Sequence, residues 1–385
     1  MSALDLIRPD LASLESYVAS DEQPDCRLHV NELPWSPIDA ASIALNRYPE
    51  RAPQKQLQSR LARLYQIESD ALLLTRGSDE GIDLLMRLFL RAGVDSMMQC
   101  PPTFPMYAFY ARLQQAKVIE CPLNDEMGFG LNLELIREQW QPNCKLIMLC
   151  RPNNPTGNLI TLETIVSLCT QYHNQSVIVV DEAYIEFSNQ PSASCLINQF
   201  DNLIVLRTLS KAYGLAGLRV GAMLAQPIMI EALRKIVAPF TFSSAVIDLS
   251  LRALQDAAWF DRAIQQMTTL KQQLMDGLQA SSWVDVVYSS AANFILIKTR
   301  YSAALFLFFR QHGIAIRQFS ESVMVPASKA RSCEQSSNSL SKHAETMTDA
   351  QCSIGPLTHH LRITVGNDLQ NKRLLAVLAS FAGEI

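Results

Sequence analysis

LIVLRTLSKAYGLAGLR, residues 203–219, opens as a short apolar run and passes directly into polar residues and glycines. Leu203 to Leu206 predict a buried strand, which places Arg207 to Lys211 at its carboxyl end. In open α/β sheets ligands sit beyond the carboxyl ends of the strands, so Ser210, Lys211 and Arg219 are the first residues to weigh. A lysine just past a buried strand can be a desolvated amine, nucleophilic at neutral pH and suited to forming a Schiff base. Gly214 and Gly217 allow close backbone approach, and Ser210 with Arg219 resembles a phosphate cradle.

The same pattern recurs on either side. Ala71 to Thr75, Lys145 to Leu149, Val177 to Val180 and Val220 to Leu224 are further apolar runs, with helical stretches between them. Apolar residues fall at helical spacing from Leu57 to Leu64 and from Gly81 to Leu90. This alternation predicts an α/β fold with a largely parallel sheet covered by helices. Beyond about residue 275 come a helix, the run Phe294 to Ile297, another helix and Leu361 to Val365, which together read as a smaller α+β domain. The expected division is 1–45 as an N-terminal segment completing the small domain, 46–274 as the large domain and 275–385 as the small one. Residues 320–360 are crowded with Ser, Gln, Asn and Thr and read as a loop or insertion.

Composition narrows the function. There are 33 Lys and Arg against 37 Asp and Glu, a net charge of −4, which offers no clustered positive charge for a phosphodiester backbone. No apolar stretch approaches the ~20 residues of a membrane span, and the first residues lack the apolar run of a secretory signal, so a cytoplasmic protein is expected. Nine scattered cysteines without a CxxC pair read as reduced thiols, with no metal site expected. No GxGxxG follows an early strand, which argues against a nucleotide-binding dehydrogenase.

Chemistry-bearing residues follow the other runs as well. After Leu146 to Leu149 comes Arg151-Pro-Asn-Asn-Pro-Thr-Gly157, after Val177 to Val180 comes Asp181-Glu-Ala-Tyr184, and after Leu72 to Leu74 comes Arg76-Gly-Ser-Asp-Glu80. An unpaired carboxylate at Asp181 would be expensive to bury, so a cationic partner is implied. That partner is either a nearby arginine or the protonated ring nitrogen of pyridoxal phosphate. Tyr184 and Asn154 can both reach the phenolate oxygen of such a ring. Ser78 and Asp79 present backbone N–H groups at a helix start, a natural anion site as well as an ordinary cap. Phe104 can stack on a flat ring or simply fill core.

Taken in order, these strings resemble the fold-type-I, pyridoxal-phosphate-dependent aminotransferases. Within that family, Leu45-Asn-Arg-Tyr-Pro49, Arg76-Gly-Ser-Asp-Glu-Gly81, Cys100-Pro-Pro-Thr-Phe104, Tyr184-Ile-Glu-Phe187 and Leu361-Arg-Ile-Thr-Val-Gly366 resemble the class II branch of histidinol-phosphate aminotransferases. The resemblance runs from about residue 25 to the C-terminus, outside the Ser-rich insertion. It implies a mostly parallel seven-stranded sheet and pyridoxal 5'-phosphate as cofactor. Lys211 would join the cofactor covalently and then move the proton. Asp181 would pair with the ring nitrogen, Tyr184 and Asn154 would bond the ring oxygen, and Phe104 would lie on the ring face. The phosphate would be held by the Ser78 and Asp79 amides, Ser210, Arg219, and Tyr48 from a neighbouring subunit of a homodimer. Arg362 would take the amino-acid carboxylate and Arg317 the distal anion, with Tyr17 near the substrate phosphate.

The implied substrates are L-glutamate, 2-oxoglutarate, imidazole-acetol phosphate and L-histidinol phosphate, used in histidine biosynthesis. Rival readings are an aromatic amino-acid aminotransferase, a phosphothreonine decarboxylase, and a non-catalytic ligand-binding regulator on the same fold. Two features depart from the family pattern. Phe104 stands where a tyrosine is usual, and residues 318–361 intervene between Arg317 and Arg362, where the family link is short. The insertion is expected to loop outward, so excising its middle should leave turnover nearly unchanged in a steady-state assay. A large loss would show that it helps shape the site.

Overall fold

The computed structural model describes residues 2–9, 47–124, 128–319 and 357–383. Its strands are β1 (Leu72–Thr75), β2 (Ser96–Gln99), β3 (Lys117–Glu120), β4 (Cys144–Cys150), β5 (Val177–Asp181), β6 (Leu203–Thr208), β7 (Gly221–Leu224), β8 (Val286–Val287), β9 (Phe294–Lys298), β10 (Arg317–Gln318) and β11 (His360–Thr364). The α-helices are α1 (Arg51–Leu64), α2 (Gly77–Phe89), α3 (Met106–Leu113), α4 (Leu133–Gln139), α5 (Leu162–Gln171), α6 (Pro227–Arg234), α7 (Ser244–Ala253), α8 (Ala257–Gln279), α9 (Ser302–Gln311) and α10 (Asp368–Ala379).

Strands β1 to β7 form a seven-stranded sheet in the order β1-β7-β6-β5-β4-β2-β3. Only β7 runs antiparallel to its neighbours, so the sheet is mostly parallel. Both faces are covered. Ile178, Val180, Leu203 and Val205 enter one core, while Val177, Val179, Ile204 and Leu206 enter the other. Burial on both sides is why these strands read as unbroken apolar runs rather than alternating ones. The sequence reading missed β2 and β3 for a related reason. Ser96 and Gln99 interrupt the run in β2, and β3 is an edge strand whose Lys117 is exposed.

The four-stranded sheet has the order β10-β11-β9-β8. Period-two alternation divides its faces. Ile295, Ile297, Leu361 and Ile363 pack against Leu274 of α8, Phe309 of α9 and Leu378 of α10. On the opposite face Phe294 joins the core of the large sheet, and Arg362 stands across from Leu296 in the β9–β11 register. That alternation aims Arg362 toward the large unit. Of the expected N-terminal segment, Ala3 and Leu6 pack with Leu84 and Leu88 of α2, and Arg8 N–H bonds Leu88 O at 3.0 Å. Tyr17 and most of the Ser-rich stretch lie outside the described residues.

Adjacent strand ends are tied by buried charge. Arg151, just after β4, donates from Nη1 to Glu182 Oε1 at 2.7 Å, and Glu182 follows β5 directly. Glu182 also accepts the Ala193 N–H at 2.8 Å and the Ser192 hydroxyl. Arg207 in β6 lies 3.8 Å from Glu182 and donates to Glu186 at 2.8 Å. Removing one member of a buried pair strands its partner, so Glu182→Gln should lower unfolding free energy by about 3–5 kcal/mol. Urea denaturation checks this, and a loss under about 1 kcal/mol would contradict the structural role.

Candidate active site

A cavity opens beyond the carboxyl ends of the parallel strands. Its wall includes Ser78 and Asp79 at the start of α2, Cys150 and Asn154 from the end of β4 onward, Asp181 and Tyr184 from the end of β5 onward, and Thr208, Ser210, Lys211 and Arg219 from the end of β6 onward; Phe104 adds an aromatic ring. Ten residues expected from the sequence to meet a cofactor were Ser78, Asp79, Phe104, Asn154, Asp181, Tyr184, Ser210, Lys211, Arg219 and Tyr48. All but Tyr48 line this one cavity. Tyr48 is exposed and stacks on Phe240 with centroids 4.4 Å apart.

One end of the cavity suits an anion. Helix α2 starts at Gly77 with no side-chain cap from Arg76, so its first amides lack intrahelical partners. Arg219 donates from Nη1 to Ser210 Oγ at 3.1 Å and from Nη2 to Asp79 Oδ2 at 3.0 Å. Space here is tight: a Cβ on Gly77, whose φ is +76°, would lie 2.6 Å from Arg219 Nη2. Arg219 itself adopts the left-handed region at φ 54°. Such backbone in a non-glycine residue persists only where its surroundings hold it, and it clusters at ligand clamps.

The other end presents Asp181, 2% exposed. Its Oδ2 accepts from the Tyr107 hydroxyl at 2.8 Å and its Oδ1 from Ala183 N–H at 3.1 Å. Among the described residues no Lys or Arg forms an ion pair with it, so none of the described arginines serves as its cationic partner. The arginines of neighbouring strand ends pair with Glu182 instead. Burial pushes the Asp181 carboxyl up to about 6, with Asp79 adding to the rise and the two hydrogen bonds and Lys211 opposing it.

Lys211 sits between these ends, its Nζ 5.6 Å from the centre of the Tyr184 ring. Burial holds its ammonium below the usual lysine range, and the charges of Arg362 and Arg219 push the same way. Tyr184 lies edge-on to Phe294 at 5.2 Å, and burial raises its hydroxyl well above the usual phenol range. Arg362 reaches the cavity wall by donating from Nη1 to Asn154 Oδ1, and its guanidinium lies 5.2 Å from the Phe294 ring centre. Arg317 is its register partner on β10. Burial lowers Arg362 from the ordinary arginine range, with Arg317 adding to the effect.

Several residues of the site were not singled out from sequence. Cys150 and Thr208 stand at strand ends, where the rule that found Lys211 could have found them. Arg151 and Glu182 were quoted within motifs without a role. Tyr107 carried no signal, because its bond to Asp181 joins residues 74 positions apart.

Residues 28–378 match the family of class I and II aminotransferases, and the chain belongs to it. Its enzymes are transaminases that use pyridoxal phosphate. Histidinol-phosphate aminotransferase 1 of Legionella pneumophila (strain Lens) is 47% identical over 385 residues, spanning 100% of this chain and 97% of its own. Histidinol-phosphate aminotransferase of Francisella philomiragia is 36% identical over 384 residues, spanning 98% and 96%. Among solved structures, histidinol-phosphate aminotransferase from Sinorhizobium meliloti in complex with pyridoxal-5'-phosphate aligns with a TM-score of 0.70 at 22% identity, covering 87% of this chain and 84% of that one.

The cavity fits that cofactor. It offers a buried carboxylate with no ion-pair partner among the described residues, an amine held below its usual range, and an arginine, a serine and a helix start at the far end. A raised carboxyl has a stability consequence whose sign is fixed. Between about pH 4 and 6 the folded chain without cofactor holds a proton at Asp181 that the unfolded chain has lost, so stability falls as pH rises through that window. The deficit, about 3 kcal/mol at most, persists at neutral pH. Asp181→Asn should therefore flatten this decline: compared by urea denaturation at pH 5 and pH 7, the cofactor-free variant loses less stability than the parent. An equal or steeper decline would mean that Asp181 ionises freely.

Proposed function

We propose that this chain is a histidinol-phosphate aminotransferase, moving an amino group reversibly between L-glutamate and imidazole-acetol phosphate to give 2-oxoglutarate and L-histidinol phosphate. The observation that carries the reading is the gathering of Lys211, Asp181, Asn154, Tyr184 and Arg219 around one cavity, with Arg362 bonded to its wall. The full-length relatives named for this activity support the choice of substrate.

When bound, pyridoxal phosphate supplies the electron sink that stabilises a carbanion at the substrate's Cα. Lys211 would hold the cofactor through its amine and would carry the proton to and from that carbon. Its lowered proton affinity leaves more of the free amine at neutral pH, as both roles require. Asp181 holds the proton on the ring nitrogen. Asn154 accepts from Arg362 through Oδ1, so its Nδ2 hydrogens are oriented to donate to the ring oxygen alongside Tyr184. Ser210, Arg219 and the amides of Ser78 and Asp79 hold the phosphate, and Asp79 steers the guanidinium. Phe104, in the cavity wall, would lie against the ring face.

Arg362 takes the α-carboxylate of glutamate, and Arg317 takes the distal anion, a carboxylate in one half-reaction and a phosphate in the other. A guanidinium grips either one bidentately, so one pocket serves both substrates. Tyr48 reaches the phosphate of a neighbouring site in a homodimer, with Tyr17 near the substrate phosphate. In the same reading residues 46–274 form the cofactor domain and residues 275–385 the small domain, the 1–45 segment starting on α2 of the large unit before completing the small one, and the enzyme works in the cytoplasm. No helix among the described residues is long and apolar enough to cross a membrane.

Amino transfer from glutamate to imidazole-acetol phosphate should outpace transfer to phenylpyruvate, with no carbon dioxide released from threonine phosphate. Lys211→Ala should lower turnover more than about a thousandfold. Preference for phenylpyruvate would overturn the substrate, and an active Lys211→Ala would overturn the site.

A further inference from the structure

Tyr107 lies on α3 and is fully buried, edge-on to Phe104 with centroids 5.6 Å apart. A phenylalanine would fill the same space. A buried hydroxyl is costly unless it is bonded, and this one points its hydrogen at Asp181 Oδ2 at 2.8 Å. Ala183 N–H holds the other oxygen at 3.1 Å. The carboxylate is thus gripped once on each oxygen, by a side chain from a helix and by backbone just beyond β5. An ionised carboxylate only accepts hydrogen bonds, so a donor on Oδ2 favours the ionised form where burial disfavours it.

We propose that Tyr107 is a positioning residue whose hydroxyl keeps Asp181 ionised and orients its remaining lone pairs toward the ring nitrogen of the bound cofactor. The inference rests on the cofactor reading above. The other groups facing Asp181 are Asp79 at the start of α2, Cys150 beside it on β4, Tyr184 three residues on and Lys211 after β6. Lys211 is the cation among them, and Asp79 opposes ionisation of Asp181. Lys211 supports ionisation but is opposed by Asp79, and Tyr107 adds direct local support through its hydrogen bond.

The test uses the full chain freed of cofactor and titrated calorimetrically with pyridoxine 5'-phosphate across pH. This probe keeps the ring nitrogen and the phosphate but has no aldehyde, so covalent capture by Lys211 does not enter. Affinity should fall on the acid side as Asp181 takes up its proton. Losing a hydrogen bond to a charged group should move that limb upward by about one pH unit in Tyr107→Phe. The probe's phosphate titrates identically in every variant and drops out of the difference. In an Asp181→Asn background Tyr107→Phe should change nothing further, as a cycle between coupled partners requires. Should Tyr107→Phe fold poorly, 3-fluorotyrosine placed at 107 donates more strongly and should move the limb downward. An unmoved limb in either variant, or an equal loss of affinity with and without Asp181, would overturn the proposal. A parent chain that binds neither this probe nor pyridoxal phosphate would refute the cofactor reading itself.

Discussion

Two adjacent residues after one strand divide the electrostatics of this protein between them. Glu182 is satisfied from every side, by Arg151 after β4, by the Ser192 hydroxyl and Ala193 amide, and more distantly by Arg207 of β6. That buried network fixes the ends of three neighbouring strands against one another. Everything that lines the cavity, from Asn154 to Lys211, leaves the sheet at those ends. If the network loosened, the loops after β4, β5 and β6 would lose their common reference before any contact within the cavity was touched.

Asp181 is the opposite case. It is buried like Glu182 but has two hydrogen bonds and, among the described residues, no ion-pair partner, and its carboxyl is pushed up to about 6. That makes the residue a poor stabiliser, and in the proposed reading the cost is what a cationic ring nitrogen would offset. Lys211 is its counterpart, more exposed than Asp181, an amine lowered by partial desolvation and by arginines on two sides against the opposing pull of Asp79 and Asp181. The site thus holds an acid and a base whose proton affinities are drawn toward each other, a condition suited to proton traffic at neutral pH.

Much of this was legible in the sequence, for an identifiable reason. Strands buried on both faces leave unbroken apolar runs, and function in such sheets collects at their carboxyl ends, so reading the residue after each run reached Asp181, Ser210 and Lys211. The same rule failed for β2 and β3, where Ser96, Gln99 and Lys117 break the pattern, because burial and edge position are properties of the assembled sheet. For Asp181 the sequence called for a cationic partner and left two candidates, an arginine or a ring nitrogen. Only the assembled strand ends reveal that the available arginines turn to Glu182 instead.

The chain's own order of residues therefore determined the α/β class, the run of strand-end motifs and the identity of most groups that line the cavity, since each depends on local periodicity and on which side chain follows which strand. The tertiary structure decided the pairings: Tyr107 with Asp181, Arg362 with Asn154, Arg219 with Asp79. Those bonds join residues 74, 208 and 140 positions apart. No local pattern encodes such a meeting, because it is set by strand order and by the face each side chain takes once both sheets have formed.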